Sequence, residues 1–296
     1  IQSTMAIYTE EEARKILEKA MSFSKADACV INLGGSESGN IRYARNTVST
    51  AGHQSNQSLA VEASFGKKSG TATIDEFDDA SLEKVVRRAE ELAQLSPENP
   101  EFMAPLGPQT YDEAVSYVEA TAKTTPEFRA EVAAKSIKPA GEKDVTAAGF
   151  LDDGASFRAM LNSNGLFAYN KSTNVDFTVT MRTNDGTGSG WVTRDYNDIT
   201  KFDAEEASAI AIDKAVMSRE ARAIEPGRYT VILEPAAAEE LLGNMGRSFN
   251  ARTADEGRSF MSKEGGGTKL GEKIVDERVT IWSDPLNPEV PTSTWS

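Results

Sequence analysis

The strongest constraint on how this chain folds lies between residues 144 and 195. Apolar and polar side chains alternate there, and Asx-Gly dipeptides recur. Phe157, Ala159 and Leu161 alternate with polar neighbours, as do Val175, Phe177, Val179 and Met181. A period of two puts each set on one face of an extended strand, which helical geometry cannot do. Asp153-Gly154, Asn164-Gly165 and Asp185-Gly186 punctuate the runs. Each is a dipeptide favoured in tight hairpin turns, where the glycine tolerates positive φ. Three such turns joining alternating runs predict an antiparallel meander over 144–195.

Upstream, helical and extended signals mix. Thr9-Glu-Glu-Glu12 is a capping box, and Ala13, Ile16, Leu17, Ala20 and Met21 follow on one helical face. Residues 28–33 predict a buried strand ended by Gly34-Gly35. Leu59, Val61, Ala63 and Phe65 mark a half-buried strand that Gly66–Gly70 turns back into Thr71–Ile74. Leu82, Val85, Val86, Ala89, Leu92 and Ala93 hold the 3.6 period behind Asp78, Asp79 and Ser81, which supply capping oxygens and charge. Together these predict an N-terminal α+β domain over 1–95. Residues 96–110 contain four of the chain's 11 prolines and read as a linker.

A middle domain is expected over 111–222. It begins with an Ala/Glu-rich helical segment from Tyr111 to Lys138, continues as the meander, and ends in a helix opened by Asp203 and Glu206 with an Ala207/Ile210/Ala211 face. A third unit spans 223–296. Tyr229–Leu233 predicts a short strand, Pro235 takes the first position of a helix faced by Ala238, Leu241, Leu242 and Met245, and Val279–Trp282 is strand-like. The fold class expected is α+β.

Charge and composition exclude several functions. Asp+Glu number 46 against Lys+Arg 32, a net charge of −14, which argues against nucleic-acid backbones and anionic membranes as partners. One His, His53, and one Cys, Cys29, rule out a poly-histidine or poly-thiolate metal site and an internal disulfide within these residues. Cys29 sits in an apolar run and reads as a small core residue, and His53 lies in a polar turn, Ala51–Asn56. No nucleophile elbow, phosphate loop or calcium loop is present at the required spacing. The Gly186/Gly188/Gly190 run leads into a strand, whereas a dinucleotide fingerprint leads into a helix. No opening segment has the form of a signal peptide and no apolar run reaches membrane-spanning length, so the cytoplasm is the expected compartment. The Ile1 start and the Pro291–Ser296 stop predict a fragment, with the native C-terminus beyond residue 296.

A resemblance adds to this reading. Arg45-Asn46 before the Leu59–Phe65 strand, Gly70–Thr73, the Leu82–Leu95 helix with Ser96-Pro97, Asn162–Gly165, Pro226–Leu242 and Gly257–Phe260 fall in the order and spacing of the TldD/PmbA family, also labelled peptidase U62 or modulator of DNA gyrase. The resemblance implies a two-subunit peptidase system. A TldD-type chain carries zinc in a His-Glu-x-x-x-His motif, and a TldE/PmbA-type chain pairs with it to process peptides or small proteins. It also implies that 223–296 starts a larger β-rich C-terminal domain, in which the family's distal cysteine ligand would lie. Aligned without gaps, the motif's first His falls on Glu234, its Glu on Pro235 and its second His on Glu239. Two carboxylates suit harder ions than zinc, and proline cannot act as a base. A bland alternative leaves Glu234 at a strand end and Glu239 as a solvated first-turn carboxylate favoured by the helix dipole.

Three functions follow. The first is a TldE/PmbA-like, non-catalytic subunit, binding no cofactor itself, that forms a heterodimer with a zinc-bearing TldD-type chain and holds extended peptides. Peptides commonly add a strand to a sheet edge, and Gly188, Ser189, Gly190 and Trp191 are the candidate lining, against the alternative of an ordinary glycine-rich hairpin. The second is a self-sufficient hydrolase using carboxylates or residues beyond 296. The third is a peptide- or protein-binding homodimer without catalysis.

Overall fold

The structure, a computed structural model, describes residues 7–295. The chain divides into two compact units, one of residues 7–221 with 284–295 and one of Arg222–Ser283. The first unit is α+β. Its strands are β1 (Ala28–Ala44), β2 (Thr47–Phe65), β3 (Lys68–Ile74), β4 (Val145–Asn162), β5 (Phe167–Thr183) and β6 (Ser189–Tyr196). They form one antiparallel sheet in the order β3-β2-β1-β4-β5-β6.

The helices of this unit form where their local signals lie. In α1 (Glu10–Ser22), Thr9 and Glu12 close the capping box in both directions. In α2 (Asp79–Leu95), the Asp78 carboxylate accepts from the N–H groups of Ala80 and Ser81. In α5 (Ala204–Met217), Asp203 accepts from Glu205 and Glu206 N–H groups. The Tyr111–Lys138 segment is helical only in its later part, as the single turn α3 (Glu119–Ala122) and as α4 (Pro126–Glu142). Its first residues instead follow the open edge of β5, where Thr173 N donates to Ser116 O and Ser116 Oγ donates to Lys171 O.

The large buried apolar side chains of the strands lie on one face, because period two directs alternate side chains to the same side. Two hydrophobic cores fill that face. One gathers Leu17, Ile31, Leu33, Leu59, Val61, Leu82, Val86 and Phe157 beneath α1 and α2. The other gathers Ile41, Tyr43, Leu151, Val175, Phe177, Val179 and Met181 beneath α4 and α5. Each core takes residues from both sides of the 96–110 linker. The units expected over 1–95 and 111–222 therefore share a sheet, joined by the β1–β4 ladder from Val30↔Asn162 to Tyr43↔Gly149.

Several local expectations change. Gly34-Gly35 does not end β1, which runs on to Ala44 with Gly35↔Gln57 and Gly35↔Phe157 pairs on either side. A continuous partner on both flanks supplies the hydrogen bonds that keep the glycines extended. Asn164-Gly165 and Asp185-Gly186 do turn, with φ of +84° and +75° at the glycines. Asp153-Gly154 does not turn; it lies in mid-β4, for reasons given below. His53 lies in strand β2, not in a turn.

The second unit contains α6 (Pro235–Arg247) and α7 (Ala251–Asp255). The strands expected at Tyr229–Leu233 and Val279–Trp282 are absent: neither run pairs among the described residues, and Ile232 and Trp282 are 93% and 72% exposed. Unpaired strands are not stable by themselves, so β-propensity without a partner leaves these runs extended but unassigned.

Candidate functional site

Helix α4 crosses β1 and β4 and carries Arg129 into the sheet. Its guanidinium binds the Asp153 carboxylate through Nε–Oδ2 and Nη2–Oδ1, both at 2.7 Å, and Nη2 also reaches Thr124 O at 3.4 Å. Arg129 and Asp153 are 7% and 1% exposed. A buried ion pair is tolerated when geometry and hydrogen bonding are this complete. Glycines make room for it. A Cβ on Gly39 would lie 2.1 Å from Arg129 Cζ, and one on Gly154 would lie 2.4 Å from Glu37 O. This explains why Asp153-Gly154 is not a turn: the aspartate meets Arg129, and the glycine lets β1 approach.

Around the pair is a cleft of about 520 Å³ lined by Glu37, Asn40, His53, Thr121, Thr125 and Arg129 among others. His53, the single histidine, reaches its rim and is exposed. Sequence reasoning missed Arg129 and Asp153. The available signal was a lone arginine on an Ala-rich helix together with a charged residue in an apolar, alternating strand.

Gly188 and Gly190 serve packing. A Cβ on Gly188 would stand 2.1 Å from Ala215 O, and one on Gly190 would stand 2.1 Å from Ala211 O. The backbone of α5 fills the space that these glycines leave. Ser189 is held by Ser218, whose Oγ accepts from Ser189 N and donates to Ser189 O. Ser189 and Trp191 are both exposed, Trp191 to 46%, and Trp191 points to the face of the sheet away from α5.

That second face is polar. It presents Ser36, Ser38, Asn40, Ser172, Asn174, Thr178 and Thr180, with Phe150 and Trp191 as its exposed aromatics. Asp152, Asp176 and Asp195 stand opposite one another across β4, β5 and β6. Burial pushes the Asp152 and Asp195 carboxyls up, and the Asp176 charge adds to both shifts. In the Asp185-Gly186 turn, the Thr183 and Thr187 groups bonded to Asp185 hold its carboxyl down to about 2. Burial pushes the Tyr43 phenol up to about 12; its hydroxyl donates to Ser136, which is bonded to Ser208. Burial likewise raises the Cys29 thiol, so this cysteine is a core residue.

The motif positions lie in the second unit. Glu234 is the N-cap of α6 without a side-chain capping bond, and Pro235 is its first residue. Glu239 falls past the first turn, one turn later than the bland alternative supposed. Both glutamates are exposed. The donor set is two carboxylates and a proline, and no group of three His, Cys, Asp or Glu among the described residues could hold a metal. These residues do not fit a histidine-ligated zinc. Among the described residues no helix is long and apolar enough to cross a membrane.

Three consecutive matches cover most of the chain: PmbA/TldA metallopeptidase domain 1 over 29–93, its central domain over 104–219 and its C-terminal domain over 226–296. No curated protein matches. Among solved structures, TldE from Thermococcus kodakarensis aligns with a TM-score of 0.63 at 19% identity over 69% of this chain. A candidate modulator of a DNA gyrase from Thermotoga maritima aligns at 0.63 with 17% identity over 74% of this chain. Another from Bacteroides thetaiotaomicron aligns at 0.72 with 16% identity over 86% of this chain. The chain spans 47%, 50% and 61% of the lengths of these three proteins. At such identities the structures carry the fold, and the ordered domain matches carry the lineage. The chain belongs to the PmbA/TldD family.

Proposed function

We propose that this chain is the non-catalytic, TldE/PmbA-like subunit of a two-chain metallopeptidase that acts in peptide processing or proteolysis. One observation carries the reading: where the family motif sets two histidines and a glutamate, this chain has Glu234, Glu239 and the N1 proline of α6. Proline offers no ionisable group, so activation of water by a base at this position has no donor or acceptor of protons. Zinc then belongs to a TldD-type partner, and this chain contributes binding surface. Trp191 on the polar sheet face is the candidate of the Gly188–Trp191 set with a large exposed apolar side chain for an extended peptide. With a net charge of −14, contacts with proteins and peptides are favoured over nucleic acid, and we place the pair in the cytoplasm.

The test is a peptidase assay with metal analysis on the full-length protein, alone and mixed with a TldD-type chain. Activity is expected only in the mixture, with zinc in the partner. Chelator-sensitive hydrolysis by the isolated protein would overturn the proposal in favour of a self-sufficient hydrolase.

A further inference from the structure

The cleft over the Arg129–Asp153 pair presents a hydrogen-bond donor and a carboxylate side by side. His53, Gly39 and Asp153 stand directly opposite one another across β2, β1 and β4, so all three belong to the face that α4 covers. The Arg129 guanidinium lies over Gly39. Asp153 takes its Nε and Nη2 edge, which turns Nη1 away from that carboxylate. Nη1 forms no hydrogen bond among the described residues, although the side chain is only 9% exposed and lines the cleft.

Glu37 lines the same cleft from two residues along β1, on the same face and about 6.6 Å from Gly39 at the rise of an extended strand. The N-terminus of α4 lies there too: Thr125 caps it by accepting from Phe128 N–H, and Thr125 and Pro126 line the cleft. Access is from β2. β3 pairs with that strand only over Leu59–Phe65, so among the described residues β2 has a strand neighbour on one side alone at His53, where every residue from Thr50 to Asn56 is exposed.

We infer that the cleft binds a short zwitterion, a free α-amino acid or dipeptide. Its carboxylate sits on Arg129 Nη1 at the positive end of the α4 dipole, and its ammonium sits on Glu37. Charge selects this ligand. Arg129 and Asp153 neutralise each other, Glu37 adds a negative charge, and His53 at the rim is neutral at pH 7. A simple anion on Nη1 faces Glu37, and a simple cation on Glu37 faces the guanidinium. A ligand with both charges close together satisfies both groups. The volume of about 520 Å³ is that of a small-molecule site, and Ile41, Ala51, Ala122 and Pro126 give the ligand apolar walls. Such a site does not depend on the metallopeptidase reading.

Calorimetric titration of the full chain with L-leucine and with L-leucyl-glycine tests this. Saturable binding of at least one is expected. N-acetylation or C-terminal amidation of the tighter binder removes one charged contact and weakens binding by about tenfold or more. Glu37→Gln weakens the unblocked ligand by a similar factor and does not weaken the N-acetylated form further. Ala51→Trp, at an exposed position on the cleft wall, abolishes binding without touching the ion pair. Thermal melts confirm that the variants fold, and the comparison of blocked with unblocked ligands needs no variant. Failure of both probes to bind overturns the inference. So does equal affinity for blocked and unblocked forms, tighter binding of the N-acetylated form, or binding that a folded Ala51→Trp chain retains.

Discussion

Arg129 of α4 and Asp153 of β4 form a two-point ion pair inside the first unit, with both contacts at 2.7 Å and both residues more than nine-tenths buried. The pair fixes where α4 crosses the sheet and forms the floor of the cleft whose rim carries His53. Removing one partner strands the other charge out of water. Asp153→Ala and Arg129→Ala are each expected to cost roughly 3–5 kcal/mol, and the double variant less than their sum. Urea denaturation of the four proteins completes the cycle, and additive losses would show that the two groups do not interact.

Adjacent positions in β6 should behave in opposite ways. Gly190→Ala drives a methyl group toward Ala211 O and is expected to destabilise the protein by about 1–3 kcal/mol or more. Trp191→Ala removes an exposed side chain and should change stability by no more than about 0.5 kcal/mol. In the two-chain assay, Trp191→Ala should raise the KM for peptide with little change in kcat, as expected when uniform binding is lost.

The aspartate row predicts a pH dependence. Asp152 and Asp195 have raised carboxyl pKa values in the fold, so the folded chain binds their protons more tightly than the unfolded chain does. Stability from these groups is lost once they ionise above their folded values, and it returns as pH falls through those values toward the unfolded range near 3.9. Asp176→Asn removes the charge facing both and is expected to stabilise the protein at neutral pH by roughly 0.2–1 kcal/mol for each pair. The advantage over the parent should shrink toward about pH 4 in paired denaturation curves. A difference that is constant with pH would rule out charge as its cause.

Glu234→Gln and Glu239→Gln should leave the activity of the two-chain mixture and its zinc content unchanged. Glu234 caps α6 and Glu239 lies within it, both are exposed, and in the proposed reading neither takes part in the chemistry. Loss of hydrolysis in either variant would reassign them to the chemistry.

Local signals were legible in the sequence to the extent that their partners lay within a few residues. The Thr9/Glu12 box and the Asp78 and Asp203 caps close over two or three residues, and each helix begins where they predict. The Asn164-Gly165 and Asp185-Gly186 turns need only their own dihedrals and flanking strands. Asp153-Gly154 has the same letters and a different role, because Arg129, 24 residues away, and the backbone at Glu37 decide it. The glycines at 188 and 190 suggest a ligand lining for the same reason: a missing Cβ announces a close approach without naming what approaches, and here it is the backbone of α5.

The sequence by itself determined the α+β class, the starts of α1, α2, α5 and α6, the inward face of the alternating runs in β2, β4 and β5, and the absence of paired imidazoles at positions 234 and 239. These depend on short-range periodicity and on residue identity, which a linear chain displays in full. Only the tertiary structure decided that residues on both sides of the Pro-rich segment share one sheet, that Arg129 and Asp153 meet, and that one stretch of β2 has an open edge. Such contacts join residues tens to more than a hundred positions apart. They are fixed by strand partner choice and by how closely backbones can approach, and no local window of sequence contains either.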